Sequence, residues 1–155
     1  KKLEKEGEKD FSKWEGWHSC LRNEWEAIGL LQKPLTENYV ETVKEFGVGL
    51  LHAQNGNGGF LSNIIENVSN KGKKEEFNIH CTVKPIKLIS RLIELVLPLE
   101  QSRVVLDPFM GSGTTAIAAL EKGVSYLGFD INEEYCRIAQ KRVETYRKEV
   151  QQKFF

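Results

Sequence analysis

The spacing of apolar positions becomes regular only in the second half of the chain, from Asn78 onward. Ile89, Leu92, Ile93 and Val96 recur at i, i+3, i+4 and i+7, which predicts an amphipathic helix with Pro85 in its first turn and Pro98 at its end. Val104, Val105 and Leu106 then form a short strand ending in Asp107, and Pro108 stops its ladder because proline has no N–H to donate. A second helix over Thr115–Leu120 follows, with Gly123 as its C-terminal cap. Val124–Phe129 predicts another buried strand, with Asp130 at its end. Asn132 caps a last helix with Glu133 and Glu134 at its positive pole and Tyr135, Ile138, Ala139, Val143 and Tyr146 on one face. Strands alternating with helices in this way predict an α/β fold.

The first half is less regular. Glu26–Gln32 predicts a strand closed by Pro34, and Thr36–Phe46 a short helix with Tyr39, Val40 and Val43 on one face and Gly47 as a stop. Phe11–Trp25 is rich in aromatics without a clear period, which predicts irregular packing against the domain. Gln54–Gly59 and Lys71–Glu76 are polar runs that disfavour regular structure, and Leu61, Ile64, Ile65 and Val68 between them fit one or two weak helical turns. Residues 52–77 therefore read as a mobile insertion. Lys1–Asp10, with mixed charges, reads as a solvated or flexible segment, extended to residue 16 as the N-terminal part.

Composition narrows the class. With 155 residues, 40% of them hydrophobic, and no long apolar run, the chain is one soluble domain or part of one, with no membrane segment. It opens on Lys1 and shows no leader pattern, so a fragment or trimmed chain is expected. Cys20, Cys81 and Cys136 are widely spaced and odd in number, and His18, His52 and His80 are isolated, which points to a reducing cytoplasm and to no metal site. A formal net charge of zero argues mildly against a nucleic-acid partner.

The candidate chemistry lies in Val104–Thr115. Gly111, Ser112 and Gly113 form a loop without bulky Cβ atoms at its glycines, and the helix that follows aims its unpaired N–H groups at the same point. Gly111-x-Gly113-x-x-Ala116 formally meets the dinucleotide fingerprint, and Asp130 is placed to bond ribose hydroxyls. Against a dinucleotide, Asp107-Pro108-Phe109-Met110 separates the strand from the first glycine. Against a nucleoside triphosphate, no lysine follows the glycines. A cofactor with an adenosine, no phosphates and an amino-acid tail fits better: Asp130 for the ribose, the loop and helix N-terminus for the tail, Asp107 for its cationic end. S-adenosylmethionine has that shape and charge.

Asp107-Pro108-Phe109-Met110-Gly111-Ser112-Gly113-Thr114-Thr115 resembles the cofactor motif of bacterial and phage DNA amino-methyltransferases, which modify adenine N6 or cytosine N4. His80-Cys81-Thr82-Val83-Lys84-Pro85 is similar to the His-Pro-Thr-Gln-Lys-Pro segment that precedes this motif in the permuted subgroup, whose catalytic half comes first. Gly128-Phe129-Asp130 matches the family's ribose-binding strand end, and Leu21–Glu26 followed by Lys33-Pro34-Leu35 resembles a strand region between its two halves. Cys81 and Val83 depart from the pattern, so Thr82, Lys84 and Pro85 are carried over as cofactor contacts beside Asp107–Thr115 and Asp130.

The resemblance implies a Rossmann-like S-adenosylmethionine-dependent methyltransferase fold over residues 17–155, with an incomplete sheet, and duplex DNA as substrate. It also exposes an absence. The family's catalytic loop carries Pro-Pro before an aromatic, and Pro34, Pro85, Pro98 and Pro108 are all separated. That loop accepts the hydrogens of the target amino group, whose lone pair is otherwise delocalised, and stacks on the flipped base. The chain is therefore expected to hold the methyl donor, adenine N6 being favoured over cytosine N4 as target, and to contain no catalytic residue of its own. Two alternatives stand beside this: a non-catalytic cofactor-binding subunit that needs a partner chain, and a methyltransferase for RNA or a small molecule.

Overall fold

A computed structural model describes residues 14–21, 25–66, 68, 83–98 and 103–153. The chain divides into two compact units, Lys1–Lys33 and Pro34–Phe155. In the first, the Trp17 N–H donates to the Trp14 carbonyl at 3.0 Å, and the two rings meet edge to face at 5.4 Å. The strand expected over Glu26–Gln32 is not formed; these residues are irregular and exposed. Their β-prone composition is insufficient because a strand also needs a second strand in register with it, which composition does not supply. Residues 1–13, to which most of the charged N-terminal segment belongs, lie outside the described residues, as do Lys71–Glu76.

The second unit begins with α1 (Tyr39–Phe46), shorter than the predicted helix because Asn38 caps it, its side chain accepting from the Glu41 N–H at 3.0 Å. Thr42, not the Tyr39–Val40 face, is buried, and its hydroxyl bonds to Thr36 and to the Asn38 carbonyl. Asn38→Ala is expected to lower stability by about 1 kcal/mol, the usual worth of such a cap. An unchanged urea midpoint would show that the cap adds nothing.

The polar stretch after α1 is more ordered than its composition suggests. Asn55 accepts from the Asn57 and Gly59 N–H groups through its side chain, and Gln54 and Phe60 form an antiparallel bridge. The His52 N–H donates to Leu95, tying this part of the expected insertion to the helix that follows. A side chain that satisfies the turn from within replaces regular structure here. No helical turn forms over the described part of Leu61–Val68.

The helix α2 (Ile86–Val96) starts one residue after Pro85, which is its N-cap rather than part of its first turn. Strand β1 (Val104–Asp107) leads through the glycine loop into α3 (Thr114–Glu121), and β2 (Ser125–Gly128) returns parallel to β1, with Val104 opposite Ser125 and Asp107 opposite Gly128. Gly123 ends α3 as expected, its N–H bonded to Leu120, while the Val124 N–H bonds to Ala119. The long α4 (Glu133–Lys153) completes the unit. None of the described helices is long and apolar enough to cross a membrane.

Helix α3 is the centre of the core. Ala118, Ala119, Ile93 and Val124 form one cluster with α2; Ala116, Ile117 and Val143 form a second with α4. Small residues on α3 let both helices approach closely. Ser90 donates to Glu121 at 2.9 Å and Lys122 pairs with Glu94, clamping the α2–α3 edge. Burial, and secondarily the Glu121 carboxylate, pushes the Tyr146 phenol above its usual range.

The described residues of this unit cover the sheet on one face only. Val105 and Tyr126 turn toward the helices, while Leu106 and Leu127, 61% and 51% exposed, turn away, with Val104 and Phe129 beside them. The expectation of a buried strand over Val124–Phe129 is thus met on one face only: no element among the described residues of this unit covers the second face.

Candidate methyl-donor site

The loop between β1 and α3 is held by the two carboxylates at the strand ends. Asp107 accepts from the Phe109 N–H at 2.9 Å and from the Thr115 hydroxyl at 2.6 Å, so one side chain ties the start of the loop to the first turn of α3. Asp130 accepts from the Gly111 N–H at 2.8 Å and the Asn132 N–H at 2.9 Å, joining the loop to the entry of α4. Parallel pairing makes this possible: β1 and β2 end side by side, and the Phe129 N–H still bonds to the Asp107 carbonyl at 2.9 Å.

Two backbone bonds add to these. The Met110 N–H donates to the Phe129 carbonyl and the Gly113 N–H to the Met110 carbonyl. With the amides of Phe109, Met110, Gly111 and Gly113 engaged by the protein, the first turn of α3 supplies the N–H groups that helical geometry leaves for a ligand. Gly113 has φ +83°, and a Cβ there would stand 2.8 Å from the Ala139 Cβ. That glycine therefore serves the approach of α4 as well as the turn.

The structure brings together Asp107, Pro108, Phe109, Met110, Gly111, Thr115 and Asp130 around the strand ends. Phe109 is 87% exposed, its ring available to a ligand. Met110 lies across Gly128 on β2. Ser112 and Thr114 are buried and face Arg142 of α4, so their side chains support the loop from behind. Pro85 stands beside Ile86, which packs against the Ala116–Ile117–Val143 cluster, placing this end of α2 against the first turn of α3. Lys84 is exposed, and Thr82 lies outside the described residues.

Sequence reasoning missed Arg142. It stands four residues after Ile138 and four before Tyr146, and so falls on the face already read as buried; helical spacing contained the signal. A cleft of about 640 Å³ runs from Met110, Gly111 and Asp130 along β2 to Ala139 and Val143 of α4. It touches no β1 residue, which places it on the β2 side of the sheet. A second cleft of about 470 Å³, between α2 and Val104–Val105, touches no β2 residue.

A family model described as DNA methylase, for N6 and N4 methylation, matches residues 2–141. The chain belongs to this DNA methylase family. It is 35% identical over 142 residues to the type II methyltransferase M.HindIII of Haemophilus influenzae, covering 85% of this chain and 44% of that protein. The putative methylase YubD of Escherichia coli is 40% identical over 73 residues, 47% of this chain and 31% of that protein. The DNA adenine methyltransferase YhdJ of Escherichia coli is 36% identical over 70 residues, covering 45% and 23%. A crystal structure of an M1.HpyAVI–SAM complex is 35% identical over 40% of this chain and 31% of that chain, with a TM-score of 0.36. The methylase chain thus spans less than half the length of these relatives.

Proposed function

We propose that this chain is the cofactor-binding part of an S-adenosylmethionine-dependent DNA amino-methyltransferase of the permuted subgroup, working in the cytoplasm on adenine N6 in duplex DNA. The observation that carries this reading is the bracing of one glycine loop by two strand-end carboxylates, Asp107 through Thr115 and Asp130 through Gly111. Each carboxylate has about four acceptor positions and uses two of them among the described residues, which leaves capacity for a ligand. A nucleoside with an amino-acid tail fits the donor set: Asp130 for ribose hydroxyls, the exposed Phe109 ring beside the base, the first turn of α3 for the tail carboxylate, Asp107 for its ammonium. Thr82, Lys84 and Pro85 are assigned to the same site through the resemblance. The bound cofactor would supply an electrophilic methyl group on sulfur, and this chain's residues would bind and orient it. Adenine rather than cytosine is favoured because one relative is named a DNA adenine methyltransferase.

The groups that activate the target amine are assigned to polypeptide beyond these 155 residues, either a covalent catalytic half or a partner subunit. Three observations support this: no two prolines are adjacent in the chain, the outer face of β1 and β2 is apolar and exposed, and a cleft opens at each edge of the sheet, which has two strands among the described residues. The expected occupant is a methylase segment that adds strands to the sheet and carries a Pro-Pro-aromatic loop.

Titration calorimetry on the chain tests the donor site. Binding of S-adenosylmethionine with no heat from a nicotinamide dinucleotide is expected; the reverse pattern would overturn the reading. For the substrate, the full-length product should methylate duplex DNA in preference to RNA, and the chain alone should transfer no methyl group. Transfer by the chain alone would show that the activating groups lie within it.

A further inference from the structure

We propose that Arg142 is a positioning residue that presets the loop for the amino-acid tail of the methyl donor. The inference rests on the donor-site reading and adds a residue to it from α4, far along the chain. Arg142 is only 4% exposed. Its Nη1 donates to the Ser112 carbonyl at 2.7 Å and lies 3.2 Å from the Ser112 hydroxyl and 3.4 Å from the Thr114 hydroxyl. A buried guanidinium is costly to desolvate, so its place is set by the acceptors that surround it.

The acceptors of Nη1 just named belong to the loop and to the first residue of α3. The C=O and N–H of one peptide unit point in opposite directions. In the unit joining Ser112 to Gly113, the carbonyl is held by Arg142 and the N–H by the Met110 carbonyl at 3.0 Å. Both ends of that plane are pinned. Without the guanidinium, the Ser112 carbonyl would be a buried acceptor lacking this donor, and rotation of the peptide toward water would relieve it. A carbonyl oxygen turned toward the first turn of α3 would face the tail carboxylate of the donor with like charge. The positive charge of Arg142 also lies at the N-terminal pole of α3, where it adds to the field that favours an anion. Both effects act on the tail and leave the nucleoside contacts of Asp130 untouched, which separates this role from ordinary core packing.

The test uses the 155-residue chain with Arg142→Met, which keeps the apolar stem, and Arg142→Lys, which keeps the charge without the planar fork. Two ligands are titrated: S-adenosylmethionine, and 5′-methylthioadenosine, which has the nucleoside and lacks the tail. Amide hydrogen exchange is followed over residues 111–115 without ligand. Arg142→Met is expected to weaken S-adenosylmethionine about tenfold, in line with removal of a charge-assisted hydrogen-bond set. It should leave methylthioadenosine unchanged and speed exchange at 111–115 more than in α2 or β1. Arg142→Lys should recover part of the loss. Equal weakening of both ligands, or faster exchange spread evenly over the chain, would overturn the proposal. If the unaltered chain binds neither ligand, the donor-site reading fails, and the exchange comparison alone supports or overturns the holding of the loop by Arg142.

Discussion

Gly113→Ala is expected to lower the stability of the chain by about 2 to 4 kcal/mol, combining the strain of a left-handed backbone with overpacking. The new Cβ would lie 2.8 Å from the Ala139 Cβ and 3.0 Å from its Cα, so a side-chain rotation cannot relieve the clash; α4 has to move. Gly123→Ala provides the control. Its φ is also positive, at +64°, yet a Cβ there meets nothing within 4 Å, so it should cost only the conformational term, about 1 kcal/mol. Gly128→Ala is a different case, because its Cβ would meet the flexible end of Met110 and that side chain can swing away. Urea unfolding of the three variants measures the differences. Equal losses at positions 113 and 123 would show that the approach of α4 is not what requires Gly113.

Asp130→Ala should weaken S-adenosylmethionine binding by roughly 2 to 3 kcal/mol, the scale of hydrogen bonds to a charged acceptor. Two consequences combine. The ribose loses its proposed acceptor, and the Gly111 and Asn132 N–H groups lose theirs, so the loop and the entry to α4 separate. Asp130→Asn keeps one carbonyl oxygen, enough for one of the two backbone donors, and should fall between the alanine variant and the native chain. Calorimetry at equal ionic strength reads the effect. An Asp130→Ala protein that binds the donor as tightly as the native chain would remove Asp130 from the site. Arg142→Met should not mimic it, since Arg142 touches neither Gly111 nor Asn132 in the bonds described.

The strand-end carboxylate, the glycine loop and the helix after it were legible because each depends on neighbours within a few residues. Proline ends a ladder, glycine admits a left-handed turn, and Asn132 caps the helix that follows it, its side chain accepting from the Glu134 N–H at 2.8 Å. The face of α4 was legible for the same reason: Ile138 and Val143 are buried as their spacing predicts. The internal bonding of Asn55 was not, since nothing in a polar, glycine-rich run distinguishes a side chain that closes a turn from one that is solvated.

What the sequence by itself determined is the local grammar of β1, the loop, α3, β2 and α4, together with the family motif they carry. Local propensity and period are properties of short windows, and these elements obey them. Only the tertiary structure decided that Asp107 and Asp130, 23 positions apart in the chain, brace one loop from two sides. It also decided that Ser112 and Thr114 face Arg142, that Glu26–Gln32 is irregular, and that the described residues of the second unit leave one face of β1 and β2 open. The physical reason is common to all four. A paired hydrogen bond or a buried face depends on residues outside its own short window, which local propensity does not encode.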